Sequence, residues 1–219
     1  MTLVVFIPHR DGFSLVADRQ NTYQDWTVTT TCKLFCFKDR GVAIGCSGLT
    51  ASFKHLMTEL RNRTDSSSIV YNMQTIFKEN FSRYNELAKL LGEKLLDIEL
   101  IFSKMKDGFI EVGKLNTDIP GCLSYEPLDD SRCWAIGSID AVLWLEPQLN
   151  RKIHYITKSQ ALEFGLALLS YAARVNKEVG PPEQYGCDTI TVTKANTFEE
   201  KWIAPKLGAI DMLLPKFEV

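Results

Sequence analysis

The chain has 219 residues, of which 45% are hydrophobic, enough to fill the core of one large domain. Its 25 Lys and Arg residues nearly balance 27 Asp and Glu residues, and the net charge is −2. This balance argues against a protein dominated by nucleic-acid contacts, and the hydrophobic content argues against disorder. No stretch approaches about 18 consecutive apolar residues, which excludes a membrane-spanning helix.

The six cysteines are sparse for a chain of this size and lie at positions 32, 36, 46, 122, 133 and 187. No basic region precedes the first apolar run, so a signal peptide is not expected. Reduced thiols and a cytoplasmic location are therefore expected. Cys32 and Cys36 lack a second pair of ligands, and the histidines at 9, 55 and 154 form no known motif. Neither a metal nor a cofactor is expected.

Hydrophobic patterning predicts four strands and two helices in the first part of the chain. Strands over 3–7 and 13–18 flank the hairpin signal Asp11-Gly12, and strands over 33–38 and 42–46 flank a second turn. These runs are apolar on nearly both faces, which is typical of a sheet covered on both sides. Thr50 is predicted to cap a helix, and a longer amphipathic helix is predicted from about 65–66.

The second part of the chain is also predicted to contain strands followed by helices. Strands are predicted over 97–103, 109–115 and 133–136, and helices over about 139–145 and from Thr157. Gln160 completes a capping box with Thr157, and a final strand is predicted over 187–193. No repeat or linker is visible. One domain over residues 1–219 is therefore expected, with a C-terminal docking tail from about residue 195.

Thr2 is the first residue once the initiator Met1 is trimmed, as is usual before a small side chain. An N-terminal threonine joins a nucleophilic hydroxyl to an α-amine of ordinary pKa about 7.7–8.0, so one residue can be nucleophile and base. The predicted hairpin returns Asp18 to the side of Thr2. Lys33, at the start of the next strand, can lower the pKa of the hydroxyl. Gly48, between strand and helix, offers a backbone N–H to an oxyanion.

Several short segments occur in an order and at a spacing that match a known family of proteins. They are Thr2-Leu3-Val4-Val5, Val16-Ala17-Asp18-Arg19, Lys33-Leu34-Phe35, Gly45-Cys46-Ser47-Gly48-Leu49, and the segments at 135–138 and 186–192. Together they resemble the proteasome β-subunit branch of the N-terminal-nucleophile (Ntn) hydrolases. The resemblance implies an α+β fold, a four-layer αββα sandwich with the nucleophile at the sheet edge. It also implies ATP-independent hydrolysis of peptide bonds.

The resemblance also implies a role for each matching residue. Thr2 is the nucleophile, Lys33 the proton acceptor, and Asp18 the residue that orients Lys33. Gly48 N–H supplies the oxyanion hole, and Ser138 supports the α-amine. The mostly neutral pocket for substrate side chains, which favours apolar or small groups, is implied near Gln20, Thr31, Cys46 and Thr50.

Two features depart from the family pattern. The family's Asp-x-x-Ser ahead of the last strand is absent, and the local candidates to replace it are Asn176, Glu178, Gln184 and Tyr185. Only Met1 precedes Thr2, so exposure of the α-amine is expected to need an aminopeptidase and no self-cleavage.

The leading hypothesis is a threonine-type peptidase or amidohydrolase inside a homo-oligomeric ring. Peptides or unfolded proteins are the expected substrates, and a regulatory ATPase is a candidate partner; no nucleic-acid or membrane partner is expected. Three alternatives stay open. They are a transpeptidase (peptide ligase) that uses the same Thr2 acyl-enzyme, a non-catalytic structural subunit, and a cysteine-dependent enzyme that uses Cys32 or Cys36. Lys33 adjoins Cys32 and is expected to lower its pKa.

We expect intact-mass measurement of the protein from its native host to show loss of Met1, because aminopeptidase trimming favours a small second residue such as Thr2. Retention of Met1 in that protein blocks the α-amine and would contradict the catalytic hypothesis.

Overall fold

The computed structural model describes residues 2–22, 28–63, 68–92, 97–150 and 155–204. The described strands and helices alternate in blocks along the chain. In order they are β1 (Leu3–His9), β2 (Gly12–Asp18), β3 (Gln20–Thr22), β4 (Val28–Thr30), β5 (Leu34–Phe37), β6 (Val42–Gly48), α1 (Thr50–Asn62), α2 (Ile69–Leu90), β7 (Ile98–Lys106), β8 (Phe109–Asn116), β9 (Ser124–Pro127), β10 (Trp134–Gly137), α3 (Ile139–Leu149), α4 (Lys158–Val175), α5 (Pro182–Tyr185), β11 (Cys187–Thr193) and β12 (Phe198–Ile203).

The strands form antiparallel sheets. The first sheet has the order β10-β1-β2-β11-β12, the second has the order β5-β6-β7-β8-β9, and β3 pairs with β4 alone. In the first sheet Val4 lies opposite Ala17, and Asp18 lies opposite Cys187. Thr2 and Asp18 therefore lie at the same end of this sheet, where the β1–β2 ladder begins.

The alternation of side chains along the strands divides the core into clusters. On β1, Val5 and Ile7 pack towards α3 and α4, whereas Phe6 packs between the two large sheets. On β6, Ile44 and Cys46 pack against α1 and α2. Both faces of β1 and β6 are thus covered, which explains why their sequences are apolar almost throughout.

The expectation of a four-layer αββα sandwich was wrong. The structure is α+β with three antiparallel sheets, because the chain leaves the first sheet after Asp18 and forms a separate two-stranded ribbon. In this ribbon Gln20 lies opposite Thr30, and Asn21 lies opposite Thr29. These side chains are polar, so the ribbon has none of the apolar patterning that predicts a strand buried in a core.

The helix that follows residue 156 begins as predicted. Thr157 accepts a hydrogen bond from Gln160 N, and the Gln160 side chain accepts one from Thr157 N at 2.9 Å, which completes the capping box. Thr50, in contrast, does not cap α1. The N-cap is Leu49, Thr50 is the first helical residue, and no side chain caps this end.

Two predictions reach beyond the described residues. The start of the longer helix near 65–66 lies outside them, and α2 is described from Ile69. The tail expected from about residue 195 contains β12, which pairs with β11 at the edge of the first sheet. Its remainder, residues 205–219, lies outside the described part. No helix among the described residues is long and apolar enough to cross a membrane.

His9, the last residue of β1, is buried without a hydrogen-bond partner on either ring nitrogen. Burial lowers the pKa of His9 from its ordinary value. The Phe13 backbone and Asp11 favour the charged ring, and Lys158 opposes it, but burial is the largest effect. The folded protein therefore holds His9 neutral under mildly acidic conditions in which the unfolded chain would protonate it.

We expect the free energy of unfolding to fall as the pH drops below about 6.5, because the unfolded chain then binds one more proton at His9. Relative to His9→Leu, the wild type should show an additional positive slope of at most about 1.4 kcal/mol per pH unit, the limit for one proton. Urea unfolding between pH 7 and pH 5 measures it. Parallel curves for the wild type and His9→Leu would contradict this explanation.

Candidate active site around Thr2

The carboxylate of Asp18 is fully buried and lies at the centre of a hydrogen-bond network. Each of its oxygens accepts from a different group of donors. The donors are Thr2 Oγ1 (2.6 Å) and Leu3 N (2.7 Å) on Oδ1, and Gln20 N (3.0 Å), Gly180 N (3.1 Å) and Lys33 Nζ (3.1 Å) on Oδ2. Asp18 thus links the hydroxyl of Thr2 to the ammonium of Lys33.

Lys33 lies in the segment between β4 and β5, and its side chain is only 2% exposed. Its backbone carbonyl accepts from Cys46 N at 2.9 Å, which ties this segment to β6. The ammonium donates to Asp18 and to the backbone carbonyl of Gln20. Burial lowers the pKa of Lys33, although Asp18 favours the charged form. At a given pH a larger fraction of Lys33 is therefore neutral than for a lysine in water, and the neutral amine can accept a proton.

Ser138 follows β10 and begins α3. Its backbone N–H donates to the carbonyl oxygen of Thr2 at 2.9 Å. Gly137 approaches the same oxygen so closely, with φ +129°, that a Cβ there would lie 1.8 Å from it. Only glycine fits this contact. Thr2 is therefore held from its side chain by Asp18 and from its carbonyl by Ser138.

Asn176, at the end of α4, contacts the side chain of Ser138, whose backbone binds Thr2. Its Nδ2 donates to Ser138 Oγ at 2.5 Å, and its Oδ1 accepts from Glu178 N at 2.8 Å. Gln184, another candidate to replace the missing Asp-x-x-Ser, instead donates to the Tyr185 hydroxyl. Residues 176–180 therefore support the site through Asn176 and through the N–H of Gly180.

The remaining predicted site residues occupy the following positions. Gly48 ends β6, and Thr50 is half-buried at the start of α1. Gln20 is buried, and its Nε2 donates to the Lys177 carbonyl at 2.7 Å. Thr31 is buried with no partner for its hydroxyl. Cys46 is fully buried, and its side chain belongs to the core cluster against α1 and α2.

The cysteines near the site do not have the properties of nucleophiles. Lys33 was expected to lower the pKa of Cys32, but burial and Asp188 raise it, and the ammonium of Lys33 donates to Asp18. Burial raises the pKa of Cys36 to about 11. A reactive cysteine needs a stabilised thiolate. Among the described residues, no group of three or more His, Cys, Asp or Glu is placed to hold a metal ion.

Comparison with solved structures identifies the fold. The chain resembles Anbu (ancestral beta-subunit) from Yersinia bercovieri, with a TM-score of 0.65, 14% identity, and coverage of 92% of this chain and 87% of that one. It also resembles Anbu from Pseudomonas aeruginosa, solved as a helical assembly, with a TM-score of 0.64, 18% identity, and coverage of 92% and 86%. No protein-family model matches the chain, and no curated protein matches it.

These comparisons correct the family expected from sequence. The chain was expected to resemble the proteasome β subunits of the Ntn hydrolases, whereas its structural neighbours are Anbu proteins, which are proteasome-like but form a distinct family. At 14–18% identity the likeness establishes the shared fold alone. The fold of this chain is therefore that of Anbu.

We expect Asp18→Asn to lower the free energy of unfolding by about 3–5 kcal/mol, because it leaves the Lys33 ammonium buried without its countercharge. The new NH2 group would also face backbone donors. Urea unfolding measures the effect. Asp11→Asn, at an exposed carboxylate, is the matched control and should change stability by less than about 0.5 kcal/mol. Equal stabilities of the two variants would contradict the central position of Asp18.

Proposed function

We propose that the protein is a threonine-type peptidase or amidohydrolase whose nucleophile is Thr2, exposed by removal of Met1. The observation that carries the proposal is the buried chain from Thr2 Oγ1 through Asp18 to Lys33 Nζ, with contacts of 2.6 and 3.1 Å. Burying a lysine and a carboxylate together is costly, and such perturbed groups are concentrated at functional sites.

In the first step Thr2 Oγ1 attacks the carbonyl carbon of the substrate and forms a C–O bond. Its proton passes to an amine, either Lys33 or the α-amine of Thr2, directly or through water. The electrons of the carbonyl double bond move to oxygen. Gly48 N–H donates to this oxyanion one residue before the N-cap of α1, where the helix dipole also favours negative charge.

In the second step the intermediate collapses, the C–N bond breaks, and the leaving amine takes the proton. The product is an ester between the acyl group and Thr2. Water then attacks the ester, the acid leaves, and the Thr2 hydroxyl regains its proton. Asp18 remains a carboxylate throughout, orienting Lys33, while Ser138 and Asn176 hold the backbone of Thr2 and the region of its α-amine.

The pocket for substrate side chains is proposed near Gln20, Thr31, Cys46 and Thr50. The Thr31 hydroxyl is buried without a hydrogen-bond partner, and the Gln20 amide donates to the Lys177 carbonyl. Cys46 would contribute through its backbone, because its side chain lies in the core. Such a pocket is neutral and suits small or apolar side chains.

We also propose that the protein acts as a homo-oligomer on peptides or unfolded segments. The helical assembly of the Pseudomonas aeruginosa protein supports this. Exposed apolar side chains give a second reason, since Ile139 and Leu143 of α3 are 70% and 61% exposed and Trp202 of β12 is 58% exposed. Such surfaces mark contacts with other chains.

A β-lactone inhibitor tests the nucleophile. We expect one adduct on Thr2 in the wild type, a slower reaction for Thr2→Ser, and no adduct for Thr2→Ala. Intact mass and peptide mapping measure this, and cleavage of fluorogenic peptides should be lost with the adduct. Cys32→Ala is the matched control beside Lys33 and should keep both activities.

Three results would contradict the proposal. Peptide cleavage by Thr2→Ala would remove Thr2 as nucleophile. Loss of labelling in Cys32→Ala would favour the cysteine-dependent alternative. An unlabelled and inactive wild type lacking Met1 would favour a non-catalytic subunit.

A further inference from the structure

A second carboxylate connects the second sheet to the strand beside Thr2. Glu99 lies on β7, and its Oε2 accepts from Gly137 N on β10 at 2.9 Å. Its Oε1 accepts from Lys114 Nζ on β8 at 2.7 Å. The side chains of Glu99 and Lys114 are 21% and 27% exposed. Glu99 is therefore held by its own sheet and reaches across to the first one.

The N–H of Gly137 needs an acceptor from outside its own sheet. Among the described strands of that sheet β10 lies at the edge and pairs with β1 alone, and the Gly137 N–H is bonded to Glu99. A backbone N–H without a partner is unfavourable when it is shielded from water. A bond to an ionised carboxylate is stronger than one between neutral groups. Glu99 thus fixes the end of β10.

The end of β10 is in direct contact with Thr2. A Cβ on Gly137 would lie 1.8 Å from the Thr2 carbonyl oxygen, and Ser138 N donates to the same oxygen at 2.9 Å. A shift of Gly137 must therefore move either Thr2 or Ser138. Asn176 bonds the side chain of Ser138, and β1 holds Gly137 through its pairing with Leu3, so Glu99 is the contact that reaches Gly137 from the second sheet.

We propose that Glu99, held in place by Lys114, is a positioning residue for the site around Thr2. This inference rests on the proposed function. Glu99 acts through Gly137 and Ser138: it sets where the Thr2 backbone lies, and so where its hydroxyl meets a substrate carbonyl. A displacement of about 1 Å can slow a reaction by about 100-fold, so a positioning contact matters even far from the reacting atoms.

The surroundings of the Glu99–Lys114 ion pair indicate that its main effect is on the position of Gly137 and not on the stability of the fold. Glu99 and Lys114 line an open cavity of about 140 Å³, whose apolar wall includes Ile139 and Leu143. Water therefore reaches the pair, and solvated ion pairs contribute little to stability. Loss of the pair should affect the reaction rate more than the folding equilibrium.

Two double variants isolate the bond to Gly137. Glu99→Gln with Lys114→Met keeps a carbonyl oxygen that can accept from Gly137 N, and removing the lysine prevents its repulsion of the new NH2 group. Glu99→Met with Lys114→Met has the same charge but no acceptor. The two proteins therefore differ in this one hydrogen bond.

The measurement is the rate of β-lactone adduct formation on Thr2, resolved into the limiting rate and the inhibitor concentration at half-saturation. We expect the glutamine variant to stay within about threefold of the wild type in limiting rate. The methionine variant should be at least about tenfold slower under conditions in which both variants are fully folded, with an unchanged half-saturating concentration. Both variants lack the ion pair, so if the ion pair alone mattered, the glutamine variant would be as slow as the methionine variant.

Equal limiting rates for the two variants, with a labelled wild type, would overturn the positioning role and leave the proposed function intact. A wild type that is never labelled would overturn the proposed function and this inference with it. If the methionine variant does not fold, hydrogen exchange of the Gly137 amide in the wild type and the glutamine variant decides. Slow exchange in both supports the inference, and exchange at the rate of a free strand edge overturns it.

Discussion

The buried carboxylate of Asp18 is the constraint on which this end of the molecule depends. A charge removed from water is tolerated only when donors surround it, and the donors to Asp18 come from separate parts of the chain. β1 supplies Leu3, the segment before β5 supplies Lys33, and the segment after α4 supplies Gly180. The hairpin, the β4–β5 connection and the end of α4 must therefore converge for the fold to be stable.

The two carboxylate oxygens of Asp18 bind different groups. Oδ1 faces Thr2 and Leu3, so it holds the start of β1, while Oδ2 faces Lys33. Burial lowers the pKa of Lys33, and Asp18 counteracts this effect. The same carboxylate that keeps the lysine in the interior thus also limits how readily it gives up its proton. Fold stability and the proton affinity of Lys33 are coupled through one side chain.

The sequence was informative where a pattern has a direct geometric meaning. Asp18 could be placed near Thr2 because a tight hairpin fixes which residues lie at its open end, whereas Lys33 was assigned as the start of the next strand and through the family resemblance. Apolar runs located β1 and β6 because both faces of these strands are covered. Cys46 was assigned to the substrate pocket, yet it shares its face of β6 with Ile44, and the period of two along the strand offered that signal.

Other features had no such pattern. β9 and β12 are edge strands with mostly exposed or half-exposed side chains. The β3–β4 ribbon is short and polar. None of these strands contains an apolar run. The contacts of Asn176 with Ser138 and of Gly180 with Asp18 join residues 38 and 162 positions apart. Sequence spacing gives no estimate of such distances, because they depend on how helices and sheets pack.

The surroundings of Thr2 therefore arise from both large sheets. β1 belongs to the first sheet, but the second approaches it so closely that a Cβ on Gly45 would lie 2.4 Å from Val4 Cγ1. Glu99 crosses the same gap further along, at Gly137. The core between the sheets thus sets how far apart Thr2 and its neighbours lie, and the polar contacts fix their orientation. Side chains in that core influence the site without touching it, since a change in sheet separation would move Glu99 and Lys33, both tied to the second sheet, relative to Thr2.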